Sequence, residues 1–405
     1  MNRSTAPGFI EFVSLMALIM CFVALSIDAV LPALALIGSD LGVSNPNDIQ
    51  LVITGVFFGV AAGQLVYGPL SDAWGRKPSV YLGFSIFIVG SFVCLFAEDM
   101  QGMLLGRFLQ GLGAAGPRIV TLAIVRDQYK GAQMARVMSF IMTLFILSPV
   151  VAPLIGQVVL MFAGWQEIFI LLLVVGLIAL IWFAFRLPET LPLDRRTPMR
   201  PVVIWNSMKE LLAHQASRGF VLGLGLTFGA FLGFLNSVQQ IMQDLYQQGA
   251  MFPVYFALLA AGIGAASLLN AKLVLWLGMR SLLLGAQLLT VVSSVIAWWF
   301  ALYLDLNPPF WSMMIYFSLV LFAMGIQFGN LNALAMEPFG HVAGLASSVV
   351  GAVSTFVAVG LGLIVGQAFD NTVIPVIMGF AVLGASSGAI TFWAFRHRCR
   401  AIEQN

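Results

Sequence analysis

Charged residues are what this sequence has least of. Only 9% of its 405 residues are charged, whereas 60% are hydrophobic and the mean hydropathy is +0.98. Because soluble globular domains carry roughly a quarter of their residues as charges, the composition excludes a water-soluble fold. The formal net charge is only +2, so no basic surface for nucleic acid is predicted and lipid is expected to be the solvent.

Cysteine and histidine are also scarce, with three of each in the whole chain. Cys21 and Cys94 lie in apolar runs, and no Cys-x-x-Cys pair or Cys/His cluster occurs. Neither a metal nor any other cofactor is therefore predicted. His214, His341 and His397 fall outside the predicted membrane segments. Because an intramembrane enzyme needs a nucleophile with a base or a metal cluster, an enzyme is not predicted.

Long apolar runs fill the rest of the chain. About 20 residues span the hydrocarbon core of a bilayer, and the runs are continuously apolar rather than alternating, which indicates helices and not a barrel. We predict an all-α polytopic membrane protein with twelve transmembrane helices. The predicted helices 1 to 12 cover residues 9–37, 50–70, 78–97, 102–125, 134–162, 167–187, 219–245, 251–275, 281–303, 311–335, 343–368 and 372–395.

The basic residues predict which side of the membrane each helix end faces. Apart from Arg107 and Arg118 in predicted helix 4, the Lys and Arg residues, beginning with Arg3, lie at alternate ends of the helices. In the loops at the opposite ends, including the one with Asp305, all of the charged residues are acidic. By the positive-inside rule the basic side is cytoplasmic. We therefore expect a multi-pass protein of the bacterial inner membrane with both termini in the cytoplasm.

One hydrophilic stretch, residues 188–218, divides the chain into two sets of six predicted helices. We predict an N-terminal bundle over 1–187, a cytoplasmic linker over 188–218 and a C-terminal bundle over 219–405. The halves share two faint repeats. Leu-Ile-Gly-Gln at 154–157 resembles Ile-Val-Gly-Gln at 364–367. Trp-Gly-Arg after predicted helix 2 resembles Gly-Met-Arg after predicted helix 8. Such repeats are typical of transporters and favour two pseudo-symmetric six-helix bundles.

The segment Gly-Pro-Leu-Ser-Asp-Ala-Trp-Gly-Arg-Lys joins predicted helices 2 and 3 on the basic side. Its acid and arginine can pair, its glycines allow helices to approach closely, and an Arg-Asp dipeptide at the end of helix 4 offers a second pair. Simple topology would require neither the acid nor the paired glycines, so we interpret the set as a conformational latch. The predicted latch comprises Gly68, Asp72, Gly75, Arg76, Arg126 and Asp127.

These motifs resemble those of the major facilitator superfamily. The loop between predicted helices 2 and 3 resembles the superfamily's signature there, and Arg107-Phe-Leu-Gln-Gly resembles its helix 4 pattern. The segment with Pro149, Pro153 and Gly156 resembles the helix 5 motif of drug/proton antiporters. The resemblance covers essentially the whole chain.

Further residues resemble the Bcr/CflA-type multidrug exporters, namely Asp28-Ala-Val-Leu-Pro in helix 1 and Met336-Glu-Pro-Phe after helix 10. The resemblance implies the major facilitator fold and a monomer as the working unit. It also implies proton-coupled efflux of small amphipathic compounds by alternating access, with no cofactor other than the proton as coupling ion. The expected partners are a small-molecule substrate and membrane lipid.

Asp28 is the acid placed inside a predicted helix, slightly past the middle of the membrane. An ionised carboxylate there costs about 3 kcal/mol or more, so burial favours its protonated form, whereas a nearby arginine favours its charged form. Arg107 lies at a compatible depth, and the resemblance implies a role for it in coupling. We predict that Asp28 and Arg107 carry the proton coupling, with a static ion pair as the alternative.

Arg118 follows Arg107 by eleven residues, which make three helical turns and place both on one helix face. Two arginines against one acid favour a neutral or anionic substrate over a dicationic dye. The alternative role of a lone Asn or Gln in a membrane helix is a hydrogen bond to a neighbouring helix, which stabilises the packing by about 1 kcal/mol. The residues predicted to bind substrate are Arg118, Gln64, Asn236, Gln240, Asn330 and Asn332.

Other functions remain open at the level of sequence. The chain could export one endogenous anionic metabolite, such as a siderophore or organic acid, with Arg107 and Arg118 as the anion site. Uptake by symport would leave the helix 5 motif unexplained. A receptor or structural membrane protein would not need Asp28 opposite Arg107.

Overall fold

The structure is a computed structural model that describes residues 7–199, 201–304 and 306–403. Arg3 and Asp305, which contributed to the charge pattern, lie outside these residues. Across the described ranges the regular structure is entirely helical, so the predicted all-α class is confirmed. The α-helices are α1 Phe9–Asp28, α2 Leu34–Asp40, α3 Leu51–Trp74, α4 Arg76–Leu95, α5 Met100–Gln128, α6 Gly131–Phe162, α7 Gln166–Arg186, α8 Pro201–Ala213, α9 Gln215–Gln239, α10 Phe252–Tyr303, α11 Phe310–Met336, α12 Ala343–Gln367 and α13 Ile374–Glu403.

Eleven helical segments among the described residues are long and apolar enough to cross a membrane. One of them, Gly249–Tyr303, has 55 residues, more than twice the roughly 20 that one crossing needs. At Gly278 within it, φ is 73° and ψ is 156°, which is not helical. The segment therefore contains two crossings, which correspond to predicted helices 8 and 9. The multi-pass helical prediction is confirmed.

The first predicted helix is not continuous. α1 ends at Asp28, a 3-10 turn covers Leu31–Ala33, and α2 begins at Leu34. Pro32 explains the break, because in an unbroken helix its missing N–H would have donated to the carbonyl of Asp28. The predicted crossing over 9–37 corresponds to the apolar span Phe9–Asp40, but its expected continuity as one helix was wrong, and Asp28 lies at a helix end.

Glycines bring the backbones of α3 and α5 into direct contact. A Cβ added at Gly111 would lie 1.9 Å from the carbonyl oxygen of Val56, and one at Gly59 would lie 2.1 Å from that of Phe108. These distances are far below van der Waals contact, so any other residue would separate the helices. The close approach brings side chains of α5 within reach of carbonyl groups on α3.

The chain divides into two compact units, Met1–Ile204 and Trp205–Asn405. The division falls within α8, inside the hydrophilic stretch 188–218. In unit 1, α5 packs against α3 and α4, and α1 packs against α5, α6 and α7. In unit 2, α9 packs against α11, α12 and α13.

Candidate functional site

Arg107 is fully buried in unit 1 and is held by three acceptors. Its Nε donates to the carbonyl of Val52 at 3.1 Å, and its Nη1 donates to the carbonyl of Ser26 and to Gln110 Oε1, each at 2.9 Å. Gln110 Nε2 donates to Ser91 Oγ at 2.8 Å. Arg107 and Gln110 are three residues apart and therefore lie on one side of α5. Their partners Ser26, Val52 and Ser91 lie on α1, α3 and α4, so the network joins four helices.

The break in α1 supplies one of these acceptors. Ser26 is among the last residues of α1, whose carbonyl groups lack the regular helical partner. Pro32 ends the helix, the ended helix leaves the Ser26 carbonyl available, and Arg107 binds it. The position of Arg107 is thus determined by backbone groups as much as by side chains.

Asp28 is buried, with 6% of its surface exposed, and lies close enough to Arg107 for electrostatic attraction. Within the described part of the chain, its carboxylate makes no hydrogen bond and no ion pair within 4.0 Å. Arg107 binds the backbone two residues earlier instead, and its Nη2 is buried without a partner. The structure therefore brings the two predicted coupling residues near each other but does not join them in a static ion pair.

The motif on α6 meets α1 at the same break. A Cβ added at Gly156 would lie 2.0 Å from the carbonyl oxygen of Ala29, the residue that follows Asp28. Pro149 and Pro153 lie inside α6, which continues as one helix of 32 residues. Of the three predicted motif residues, Gly156 is the one that places α6 directly against the backbone next to Asp28.

Arg76 is the centre of the predicted latch. Its Nε donates to Asp127 Oδ2 at 2.9 Å, and its Nη1 donates to Asp72 Oδ1 at 2.5 Å and to Ser71 Oγ at 2.9 Å. Ser71 Oγ also donates to the carbonyl of Gly68 at 3.0 Å. The structure therefore brings Gly68, Asp72, Arg76 and Asp127 together.

Glu189, just after α7, completes this group and was missed in the sequence. Its Oε1 accepts from the backbone N–H of Arg76 and its Oε2 from that of Lys77, both at 3.0 Å. The carboxylate thus caps the N-terminus of α4. At Gly75, φ is 110° and a Cβ would lie 2.6 Å from Glu189 Oε2, so both the backbone and the space there require glycine. The signal was an isolated acid among mostly basic residues after a helix. We call Ser71, Asp72, Arg76, Asp127 and Glu189 the Arg76 cluster.

Arg126, in contrast, does not join the Arg76 cluster. Its side chain is exposed, and its Nε donates to the carbonyl of Leu122 on its own helix at 3.3 Å. Neighbouring residues of a helix point about 100° apart, so when Asp127 faces Arg76 its neighbour cannot. Including Arg126 in the latch is not supported by the geometry.

Replacing Glu189 by Gln is expected to lower the free energy of unfolding by about 1–3 kcal/mol, because a charged acceptor of three backbone N–H groups, those of Arg76, Lys77 and Leu191, is lost. Glutamine offers one acceptor oxygen, and its NH₂ group would face at least one of these N–H groups. Thermal unfolding of the detergent-solubilised protein measures the change. Glu98→Gln is the matched control, since Glu98 is exposed and its replacement should change little. Equal melting temperatures for both variants would contradict the capping role.

Arg118 lies three helical turns beyond Arg107 on α5 and is half-buried. The centre of its guanidinium lies 5.6 Å from the centroid of the Phe145 ring on α6. The described residues provide it with no hydrogen bond and no acidic partner within 4.0 Å. An arginine near the centre of a membrane helix costs about 3 kcal/mol by insertion measurements.

Gln64, also predicted to bind substrate, has a buried Oε1 without a partner.

Two of the predicted polar residues of unit 2 connect different pairs of helices. Asn330 Nδ2 donates to Asn270 Oδ1 at 2.8 Å and so connects α11 with α10. Asn236 Nδ2 donates to the carbonyl of Gly362 at 3.2 Å and connects α9 with α12. Gln240 is buried in a π-helical turn that follows α9. Asn332 is exposed, because two residues along a helix turn it away from Asn330. Asn236 and Asn330 therefore make interhelical contacts.

A neutral polar network in unit 2 was not singled out from the sequence. Gln327 Nε2 donates to Thr290 Oγ1 at 2.9 Å, and Gln327 Oε1 accepts from Thr227 Oγ1 at 3.3 Å. Thr227 and Ser387 share a hydrogen bond of 3.0 Å, and Gln287 Nε2 donates to Ser387 Oγ at 3.1 Å. These residues connect α9, α10, α11 and α13 through neutral side chains.

Comparison with protein families gives one match that covers most of the chain. Residues 16–364 match the family described as Major Facilitator Superfamily. A "Bicyclomycin resistance protein homolog" from Haemophilus influenzae is 29% identical over 360 residues, covering 88% of this chain and 89% of its own. The "Multidrug resistance protein MdtL" of an Escherichia coli strain is 28% identical over 340 residues, 83% of each chain.

Solved structures agree on the fold. A crystal structure described as a D-xylose-proton symporter superposes with a TM-score of 0.74 over 95% of this chain and 96% of that one. Its sequence is 14% identical, so the likeness concerns the fold alone.

Proposed function

Because this chain belongs to the Major Facilitator Superfamily and is therefore a transporter rather than an enzyme, we propose that it is a Bcr/CflA-type drug/proton antiporter. It exports small amphipathic compounds by alternating access and works as a monomer. It lies in the bacterial inner membrane with both termini in the cytoplasm, as the distribution of basic residues favours. The names of its relatives from Haemophilus influenzae and Escherichia coli, which refer to drug resistance, support this branch.

The observation that carries the proposal is the buried, unpaired Asp28 beside Arg107. A carboxylate that is held in a permanent ion pair would not exchange a proton, whereas Asp28 has no partner among the described residues. When Asp28 is charged, it attracts the unpartnered Nη2 of Arg107. When Asp28 binds a proton, this attraction disappears and the carboxyl group becomes compatible with apolar surroundings. Proton binding thus changes which arrangement of α1 and α5 is favoured.

The energy available from one proton is sufficient for efflux. Moving one charge through 100 mV releases about 2.3 kcal/mol, which sustains roughly a 50-fold gradient of a neutral substrate. We propose that the Arg76 cluster stabilises one conformation of the cycle and opens in another. Three carboxylates around one arginine and one helix end support this role, because charge-assisted hydrogen bonds are strong but reversible.

A pH-sensitive fluorescent probe in energised everted vesicles tests the proposal. Neutral, anionic and cationic amphipathic compounds are added in turn to vesicles with the protein and to vesicles without it. Proton release that depends on both compound and protein is the expected result. If intact, proton-tight vesicles with confirmed protein respond to no compound, the drug-exporter proposal is contradicted. Export of a single anionic metabolite, such as a siderophore or organic acid, then becomes the better candidate, since the unpaired Arg118 favours an anion.

A further inference from the structure

Arg118 is the feature of unit 1 that the proton-coupling mechanism does not use. Three other arginines of this unit have acceptors: Arg107 binds three, Arg76 binds two carboxylates and Arg186 binds Glu11. Arg118 contacts the ring of Phe145, and the described residues provide it with no hydrogen-bond acceptor.

Several acids of unit 1 already have partners of their own. Glu11, Asp72 and Asp127 are paired with Arg186 or Arg76. Asp28 lies near Arg107, which precedes Arg118 by eleven residues or about 16 Å along the axis of α5. Arg118 is also ten residues, or about 15 Å, from the end of α5 at Gln128, too far to extend into water beyond that end. Arg118 is therefore a charge within the length of α5 that has no acidic partner among the described residues.

The contact with Phe145 determines which ligands Arg118 can accept. An aromatic ring interacts with the flat face of a guanidinium, and the ring of Phe145 lies within 5.6 Å of its centre. The N–H groups point outward in the plane of the group, where they match a carboxylate with two parallel hydrogen bonds. Thr121, one turn further on α5, has a fully buried hydroxyl without a partner.

We propose that Arg118 binds the carboxylate of the transported molecule, so that amphipathic organic monoanions are a substrate class of this protein. The inference rests on the proposed export function and specifies its substrate. The half-buried aromatic ring of Phe145 provides apolar surface for the rest of the molecule. The bound carboxylate compensates the positive charge of the guanidinium, and release of the molecule leaves the guanidinium free for the next cycle.

Equilibrium binding to the purified full-length protein in detergent tests the inference without any proton gradient. The probes are naphthaleneacetate and its primary amide, which share shape and differ in charge, measured by isothermal titration calorimetry. Arg118→Gln is expected to weaken binding of the acid at least 10-fold and to change binding of the amide less than 2-fold. Arg118→Lys should fall between wild type and Arg118→Gln, because an ammonium keeps the charge but not the two parallel hydrogen bonds.

The matched control is Arg126→Gln, which removes the same charge from an exposed position on the same helix. It should leave both affinities unchanged, and amide binding shows that each variant is folded. The inference is overturned if wild type does not bind the acid, or if Arg118→Gln affects acid and amide equally or affects neither. If the wild-type protein binds the acid selectively but shows no proton antiport, the proposed function is contradicted and the carboxylate site at Arg118 is still supported.

Discussion

Asp28→Asn is expected to reduce proton-coupled efflux by at least about 100-fold, the lower range of what a positioned proton-transfer group contributes. Asparagine keeps the size and polarity of the side chain but cannot bind and release a proton at any physiological pH. Because the carboxylate of Asp28 makes no hydrogen bond or ion pair within the described structure, the variant should fold and insert normally. Substrate-dependent proton release in everted vesicles measures the effect.

Two further variants make this result interpretable. Asp28→Glu keeps an ionisable group one methylene further from the backbone and should retain part of the coupling. Asp194→Asn makes the same chemical change at an exposed position after α7 and should transport like wild type. If Asp28→Asn drives efflux with unchanged proton dependence, the coupling role of Asp28 is wrong.

The membrane crossings could be predicted because the bilayer sets both the length and the composition of each helix. The repeat between the two halves could also be detected, although the sequence match was short. Trp-Gly-Arg and Gly-Met-Arg contain Gly75 and Gly278, at which φ is 110° and 73° and ψ is 163° and 156°. Each glycine makes a one-residue turn between two helices, a conformation that other residues rarely adopt. The two glycines thus share a backbone conformation, although Gly75 precedes its arginine by one residue and Gly278 precedes its arginine by two.

The break in α1 was not predicted from the sequence. Pro32 belongs to the motif that begins at Asp28, and a proline removes one hydrogen bond of a helix. A proline inside an apolar run often bends the helix without ending it, as Pro149 and Pro153 show in α6. What separates the two cases is the tertiary contact: Gly156 of α6 lies against the Ala29 carbonyl at the break. Such a contact is not encoded locally.

The candidate site was predictable where its members are side chains close in sequence. Arg107 and Gln110 form their hydrogen bond as the spacing indicates. The remaining acceptors of Arg107 are backbone carbonyls of Ser26 and Val52, which no residue type reveals. Glu189 was missed for a different reason, because it binds the N–H of Arg76 from 113 residues away.

The two units distribute polar groups differently, and this difference supports the placement of proton chemistry. In unit 1 the buried network contains Arg107 next to an unpaired acid. In unit 2 the network around Gln327 and Gln287 consists of amides and hydroxyls, with the Gln287 Oε1 left without a partner. Neutral groups of this kind fix helices relative to each other but cannot store a proton near neutral pH. We therefore expect proton-coupling variants to be confined to unit 1.

Gly156→Ala is expected to destabilise the protein by about 4 kcal/mol or more, since a clash inside a packed core belongs to the largest class of single-residue effects. The new Cβ would lie 2.0 Å from the Ala29 carbonyl oxygen and 2.9 Å from its carbon. Both are backbone atoms, so no side-chain rotation relieves the overlap and α6 must move away from α1. The thermal midpoint in detergent should fall by on the order of 10 °C.

Gly360→Ala on α12 is the matched control, because a Cβ there meets no atom within 4 Å. Alanine favours helix more than glycine does, so this variant should melt at the wild-type temperature or slightly above it. Proton-coupled efflux should fall in Gly156→Ala even in the fraction that remains folded, since moving α6 also moves the break that holds Asp28 and the Ser26 carbonyl bound by Arg107. A Gly156→Ala protein that melts and transports like Gly360→Ala would show that α6 does not pack against this break.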